Sequence, residues 1–201
     1  MSIMRKSTVL LVGVGVAISA ILAMLAVVNL VNSTSAEAAA EAAPEARAEI
    51  LTFDVAEDMT RFAFDQTKSF GDGLPTHGSS FVTEGYIYEY GTLTGSNGVL
   101  ADGSPEFPDK VIGKWACRGC RAMEGVWDST SQVYNFGEDY GHVTLTSDGN
   151  ASAAVGEAIS RAITGGTGQY AQARGEMNQT LLGFNKGTEG MNMRFEVEIQ
   201  K

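Results

Sequence analysis

The 201-residue sequence is poor in the residues that most often build metal sites and hydrolytic active sites. It contains two cysteines and two histidines. His77 and His142 are far apart and have no metal-site spacing, so we interpret each as solvated or satisfied within the core. Neither a Gly-x-Ser-x-Gly elbow nor a zinc-protease motif occurs. The sequence therefore gives no signal for a metal site or for ordinary hydrolase chemistry.

Positive charge is also scarce. The chain has 14 Lys and Arg residues against 24 Asp and Glu residues, a net charge of −10. Such a charge repels phosphate backbones and anionic membrane surfaces, which argues against nucleic acid as a partner. It favours solubility outside the cell instead.

The N-terminus carries a membrane-directed segment. Arg5 and Lys6 precede a run from Ser7 to Val31 that contains no charged residue. This run is longer than the ~7–15 residues of an ordinary signal-peptide core and reaches the ~20 that span a bilayer. We therefore expect residues 1–36 to be a cleaved signal peptide or a retained hydrophobic helix that anchors the protein. Both fates place the rest of the chain outside the cytoplasm, with membrane contact only through this segment.

The remaining chain divides into a spacer and one domain. Residues 37–48 are rich in alanine and glutamate, are interrupted by Pro44 and have no apolar stripe to bury. Residues 49–201 are enough for one domain with a substantial core.

Cys117 and Cys120 have CxxC spacing, but no second pair accompanies them for zinc, no histidine adjoins them for haem and no βαβ pattern surrounds them. Residues three apart in a strand lie ~10 Å apart on opposite faces, beyond the ~7 Å limit for a disulfide. A bridge would therefore need a turn at Arg118-Gly119. A structural disulfide and two separate thiols both remain open.

The secondary-structure signal of the domain is mostly period two. From Met191 to Gln200, apolar and polar residues alternate strictly, as in a half-buried strand. Similar short runs predict further strands at 51–55, 81–91, 111–117, 133–136 and 142–146. Bends are expected at 71–73, 96–98, 102–103 and 148–150. Only Ala151–Ala162 has helical spacing, which predicts a short helix or loop there.

The domain is organised around a glycine-rich stretch, Ala162–Met177. Gly165, Gly166 and Gly168 fall within four residues and are surrounded by β-favouring residues, so the stretch predicts strand, tight turn, strand. No lysine or third spaced glycine follows to make a phosphate loop.

The run GGTGQYAQARG, residues 165–175, resembles the GGTG-aromatic-x-x-ARG signature of dirigent proteins and of the wider allene oxide cyclase-like superfamily. Looser similarity covers residues 81–95, 113–119 and 141–147. The resemblance implies an all-β, eight-stranded antiparallel barrel with an internal cavity, which commonly associates as a trimer or dimer. It implies no cofactor.

The resemblance makes Arg174 the best single candidate for a catalytic role, because the family's arginine in this motif lies in the pocket beside carboxylates. Strand alternation puts Glu176 on the same face. We expect this face to point inward. An outward orientation would make the pair a surface or subunit-interface contact.

Aromatic side chains could line the cavity and stack on an aromatic ligand, or they could simply fill the barrel. The candidate ligand-binding residues are Tyr86, Tyr88, Tyr90, Trp115 and Tyr170. Two functions are compatible with the resemblance. The barrel either binds a small hydrophobic or aromatic molecule and guides its cyclisation or stereoselective coupling, or it is a non-catalytic binding or cell-surface module.

Overall fold

The computed structural model describes residues 49–65, 78–123, 127–138, 141–151 and 154–200. The N-terminal segment, the spacer, the bend expected at 71–73 and His77 lie outside the described residues. Within the described ranges, no helix is long and apolar enough to cross a membrane.

The described residues form eight antiparallel strands that close into a barrel, which confirms the predicted fold class. Each strand pairs with its neighbours in sequence, and β1 pairs with β8 to complete the ring. The strands are β1 (Glu49–Phe64), β2 (Ser80–Glu89), β3 (Val111–Met123), β4 (Trp127–Phe136), β5 (Thr144–Ala151), β6 (Ala158–Gly166), β7 (Arg174–Phe184) and β8 (Met191–Gln200). Short 3₁₀ helices span Pro108–Lys110 and Gly168–Tyr170.

Two sequence-based predictions of local structure need correction. Of the short helix or loop expected within residues 151–162, a turn is present at 154–157, no helix occurs in the described part, and residues 158–162 begin β6. The bend expected at 148–150 lies inside β5. Pairing explains both, because β5 is hydrogen-bonded to β4 along residues 144–151 and β6 to β7 along residues 158–163.

We call the end of the barrel at which β1, β3, β5 and β7 finish the upper end, and the opposite end the lower end. The lower interior is packed with fully buried apolar side chains. Phe53 stacks on Phe195 at 5.1 Å between ring centroids and meets Tyr134 edge-on at 5.2 Å. Burial of these rings closes the barrel at this end and provides a large share of its hydrophobic stabilisation.

A second apolar cluster lies outside the barrel wall, under the long connection from β2 to β3. Leu93 and Val99 of this connection cover Ala56, Tyr86 and Tyr88 on the outer faces of β1 and β2. An ion pair anchors the connection. The carboxylate of Asp54, fully buried, accepts bonds from Arg194 at 2.9 and 3.1 Å and from the Leu93 N–H at 2.9 Å. The bends predicted at 96–98 and 102–103 are confirmed by positive φ at Gly98 and Gly103.

Candidate functional site

The barrel wall separates the aromatic residues that the sequence grouped as ligand-binding candidates. Trp115 and Tyr170 belong to the interior core. Tyr86 and Tyr88 share one face of β2, as the alternation predicted, but that face is the outer one, and Tyr90 directly follows the strand. Tyr86 and Tyr88 are buried there by the β2–β3 connection, and Tyr90 is 49% exposed.

The two buried outer tyrosines bind the connection above them. The Tyr86 hydroxyl donates to the Gly103 carbonyl at 2.7 Å, and the Tyr88 hydroxyl donates to the Gly98 carbonyl. Burial raises the pKa of Tyr88, which keeps its hydroxyl a donor. The expectation that these tyrosines line the cavity is wrong, because a long-range covering loop buries an outward face.

Arg174 and Glu176 also lie outside. Both side chains are exposed, while Ala173 and Met177 are buried in the interior. The Arg174 Nη1 donates to the Ala173 carbonyl at 2.7 Å. The expected inward orientation is therefore wrong. Alternation along β7 is set by Met177 and Gln179, which take the interior positions.

The glycine-rich turn forms as predicted between β6 and β7, and two of its glycines are required for different reasons. Gly168 has φ +59°, and a Cβ there would lie 2.4 Å from the His142 carbonyl oxygen. Gly166 does not have positive φ. Instead, a Cβ on it would lie 2.4 Å from the Thr144 carbonyl oxygen and 2.7 Å from that of Tyr170. Gly165, the preceding residue of β6, is paired with Thr146.

Cys117 and Cys120 are free thiols in one continuous strand, β3. Their spacing places them on opposite faces, and no turn interrupts the strand between them. The disulfide alternative is therefore excluded by the geometry. Cys117 faces the interior, and burial raises the pKa of its thiol to about 12.

The interior of the upper half is polar on the wall formed by β2 to β6. A fully buried arginine, Arg161 of β6, dominates this wall. Its Nε donates to the Ser147 hydroxyl at 3.1 Å, and its Nη1 donates to the Thr130 hydroxyl and the Asn150 carbonyl, both at 2.8 Å. Its Nη2 donates to the carbonyls of Thr130 at 3.1 Å and Ser147 at 3.4 Å. These bonds match all five N–H donors of a guanidinium.

No carboxylate among the described residues forms an ion pair with Arg161. The barrel makes room for its side chain through Gly149 of β5, where a Cβ would lie 3.0 Å from the Arg161 Cγ. The upper lumen therefore carries a buried positive charge that only neutral groups surround directly.

Below Arg161, a hydrogen-bonded chain crosses the lumen. The Gln132 Oε1 accepts from the Trp115 Nε1 at 3.2 Å and from the Tyr134 hydroxyl at 2.5 Å. The Gln132 Nε2 donates to the Gln179 Oε1 at 3.1 Å. Burial raises the pKa of Tyr134, although the nearby Arg161 charge opposes the rise. This chain fixes the polar groups that form the floor of the upper lumen.

A buried carboxyl group, Glu57, completes the interior polar set. Its Oε2 accepts from the Met191 N–H at 2.9 Å. Burial raises its pKa, while the bond from the Met191 N–H opposes the rise. The pKa of the Cys117 thiol is lowered by the Arg161 charge and raised by those of Glu57 and Asp128, both smaller effects than its burial.

The upper end of the lumen is bordered by inward-facing side chains that are only partly buried. Phe62, Phe64 and Phe81 form a nearly parallel stack, with ring centroids 5.7–6.4 Å apart. On the neighbouring strands β3 and β4, the Arg121 Nε pairs with the Asp128 Oδ1 at 3.0 Å, and both side chains are about one quarter exposed, at 25% and 23%. Inward residues are 0–4% exposed in the core cluster. We call this upper end, with its partly exposed phenylalanines and ion pair, the mouth.

Sequence reasoning missed Arg161, the mouth phenylalanines and Glu57. A signal for Arg161 was present, because Ile159 and Ile163 flank it at period two. A single cation on an otherwise apolar strand face, opposite a glycine, indicates a buried charge whose side chain occupies the space left by the missing Cβ. Within the described ranges, no three His, Cys, Asp or Glu side chains gather as a metal site.

Comparison with solved structures identifies the fold. Two pterocarpan synthase dirigent proteins match with a TM-score of 0.57 each, at 16% and 14% identity, over 79% and 77% of this chain and 97% and 92% of theirs. A pyocyanin demethylase matches with a TM-score of 0.51 at 15% identity, over 76% of this chain and 100% of its own. No family model and no curated protein matches the sequence. The chain has the dirigent-like barrel fold, and the resemblance in fold drawn from residues 165–175 is confirmed.

Proposed function

We propose that the upper lumen binds a small aromatic or apolar molecule that carries a negatively charged oxygen, and holds it while a ring closes or a bond forms. The observation that carries the proposal is the buried Arg161 charge with no ion-paired carboxylate among the described residues. An anion that enters this space supplies the missing negative charge. The similar structures support the proposal to the extent that their names describe a pterocarpan synthase and a pyocyanin demethylase.

The lumen has an amphipathic lining that suits such a ligand. The mouth rings of Phe62, Phe64 and Phe81 provide an aromatic face at the entrance. Val55, Leu181 and Met193 are fully buried on the wall formed by β7, β8 and β1. The polar wall lies opposite. A flat molecule can therefore keep its rings on the apolar side and its oxygen on the side of Arg161.

The electrostatic preference can be estimated. At about 8 Å from the guanidinium and an effective dielectric constant of about 20, a unit negative charge gains about 2 kcal/mol. This energy corresponds to a decrease of about 1.5 in the pKa of a bound phenol. Burial of the phenol acts in the opposite direction, so the comparison has to be made between variants that share the same burial.

The test uses para-nitrophenol, whose absorbance reports its own ionisation. We expect the pKa of the bound dye to be lower in the wild type than in Arg161→Met by about 1.5. Arg161→Lys, which keeps the charge, should remain close to the wild type, and Arg174→Met serves as the surface control. Circular dichroism establishes that each variant is folded. An equal pKa of the bound dye in the wild type and in Arg161→Met would refute the proposed role of the buried charge.

A second experiment locates the entrance. Phe64→Ala removes one ring of the mouth stack and should weaken dye binding by about twofold to tenfold, since one aromatic contact contributes ~0.5–1.5 kcal/mol. Phe184→Ala is the matched control, because Phe184 is 47% exposed at the end of β7. Equal effects of the two variants would contradict entry through the mouth.

Binding without catalysis is the second candidate function, and one observation favours it. All five Arg161 donors are already used by the protein, so this residue supplies charge but no free hydrogen bond to a reacting atom. Product analysis separates the two functions. Recovery of the ligand unchanged, or of a racemic product, after incubation under turnover conditions would favour the binding module.

We also propose that the chain is exported through its N-terminal segment and that the barrels associate as dimers or trimers. The supporting features are Arg5 and Lys6 before the uncharged run 7–31, and the acidic composition. N-terminal sequencing should show cleavage near 36–40 or retention in the membrane fraction. A native mass spectrum should show the oligomer. A soluble cytoplasmic monomer with Met1 intact would contradict both parts.

A further inference from the structure

A cavity of about 210 Å³ lies on the outer face of the barrel, on the opposite side of the wall from the lumen. Strands β1 to β4 form it. Tyr86, Lys114 and Asn135 stand in one row across it, because Tyr86 pairs with Lys114 and Lys114 pairs with Asn135 in the strand register. Asp58, Arg61 and Glu84 form its rim. The inference does not depend on the function proposed for the lumen.

Asn135 has a hydrogen-bond donor without an acceptor. The residue is 6% exposed, and its Oδ1 accepts from the Gly141 N–H at 2.8 Å. This bond fixes the orientation of the amide, since only the oxygen can accept it. The remaining amide atom, Nδ2, is buried and has no hydrogen-bond partner among the residues that the structure describes. Such an orphaned donor is costly and indicates a missing acceptor.

Lys114 provides a cation next to this donor. Its Nζ lies 3.7 Å from the centroid of the Tyr86 ring. No carboxylate forms an ion pair with it among the described residues. Burial and the neighbouring Arg61 charge lower its pKa, against the effects of Glu84 and Asp58. A bound anion would relieve this unfavourable environment.

Both carboxylates of the rim form ion pairs with Arg61, although the buried Asp58 Oδ2 accepts no hydrogen bond from a described residue. Arg61 binds Asp58 at 3.1 Å and Glu84 at 3.2 Å, and Asp58 also accepts from the Thr60 N–H at 3.0 Å and the Thr60 hydroxyl at 2.7 Å. Arg61 keeps further N–H donors at the rim, and the Lys114 ammonium and the Asn135 amide are the two donors that lie side by side in the strand register. Side chains directly opposite on paired strands have Cβ atoms ~4.5–5.5 Å apart, close enough to reach one carboxylate.

We infer that this outer pocket binds a small carboxylate, with one oxygen on the Lys114 Nζ and the other on the Asn135 Nδ2. The ligand is small. Water occupies ~30 Å³ per molecule in the liquid, so the cavity volume of about 210 Å³ matches a short-chain or single-ring acid.

The test follows the side-chain amide signals of Asn135 in the isotope-labelled full chain by nuclear magnetic resonance. The signals are assigned by their loss in Asn135→Ser. Sodium acetate should shift them in a saturable way, and sodium chloride at equal ionic strength should not. Lys114→Met should weaken acetate binding by about tenfold to a hundredfold, the cost of one charge-assisted hydrogen bond.

Lys110→Met is the matched control, because Lys110 is exposed and its Nζ also lies over an aromatic ring, that of Phe107, at 5.9 Å. It should leave acetate binding unchanged. Three results would overturn the inference: no acetate-specific shift, an unchanged affinity in Lys114→Met, or an equal response to methylammonium, which would make the site a cation site. Because the lumen variants do not touch this pocket, failure here leaves the function proposed for the lumen unaffected.

Discussion

The stability of the barrel should depend strongly on Arg161 and hardly at all on Arg174, and replacing each by methionine tests this directly. Both residues are arginines near the same glycine turn, and methionine keeps much of the side-chain length in each case. They differ in environment. Arg161 is 1% exposed and makes five hydrogen bonds. Arg174 is exposed and donates one described bond, to the carbonyl of its own neighbour.

The expected cost of Arg161→Met follows from the groups left behind. The carbonyls of Thr130, Ser147 and Asn150 lose the bonds from the guanidinium, and a buried polar group without its partner costs ~1–3 kcal/mol. Removal of the buried charge recovers several kcal/mol of desolvation. We expect a net loss of about 3–5 kcal/mol in the free energy of unfolding, because several buried carbonyl and hydroxyl groups lose their partner together.

The assay is urea unfolding at constant pH, followed by tryptophan fluorescence, together with a thermal scan. For a domain of this size, 1 kcal/mol corresponds to about 2–4 °C in Tm, so Arg161→Met should lower Tm by about 6–20 °C. Arg174→Met should stay within about 0.5 kcal/mol of the wild type. A larger loss for Arg174→Met than for Arg161→Met would refute the orientation of both strands. A stabilised Arg161→Met would show that desolvation outweighs the five hydrogen bonds.

Three further predictions test other parts of the structure. Gly166→Val should destabilise the domain by several kcal/mol more than Gly91→Ala, as measured by urea unfolding. A Cβ at position 166 would lie 2.4 Å from the Thr144 carbonyl oxygen, whereas one at position 91 would meet open space and only the positive φ would be strained. Glu57→Gln should become more stable than the wild type as the pH rises above about 4. The pKa of Glu57 is raised in the folded state, so folding of the wild type takes up a proton that the glutamine variant does not need. Equal pH profiles of the free energy of unfolding would contradict this. Under native conditions a thiol reagent should modify Cys120 well before Cys117, whose thiol is 4% exposed with a pKa of about 12, and intact mass should show no bridge between them.

The sequence was sufficient for those features that depend on local alternation. The strict period two from Met191 to Gln200 predicted β8, and three glycines among β-favouring residues predicted the turn between β6 and β7. Both patterns express how neighbouring side chains point, which the chain itself determines. Closure of the barrel required the resemblance, because alternation alone is equally compatible with a sandwich.

Which face of a strand points inward was not predictable from the same patterns. Tyr86 and Tyr88 satisfy every local criterion for a core face, yet a connection that begins after Glu89 covers them from outside. Arg174 was given the inward face by the resemblance, whereas Met177 and Gln179 occupy the interior. A choice between two faces depends on distant residues, so period two leaves it undetermined.

The helix predicted within residues 151–162 failed for a related reason. Ala158, Ile159 and Ala162 fit a helical stripe, and the cation at Arg161 concealed the alternation with Ile159 and Ile163. A buried arginine breaks the rule that interior strand positions are apolar. Arg161, which obscured the strand pattern, is therefore also the residue around which the candidate site is built. Breaks in local sequence consistency are expected at functional sites.

The position of Arg161 also argues that the lumen is more than a packed core. The lower half shows how this barrel fills space for stability, with stacked rings and branched aliphatic side chains. An interior that is apolar throughout would avoid the several kcal/mol needed to desolvate a cation. The barrel instead provides Gly149 to make room for it and saturates its donors with neutral groups. A charge that is held rigidly and left without a carboxylate partner among the described residues retains its attraction for an anion that enters from the mouth.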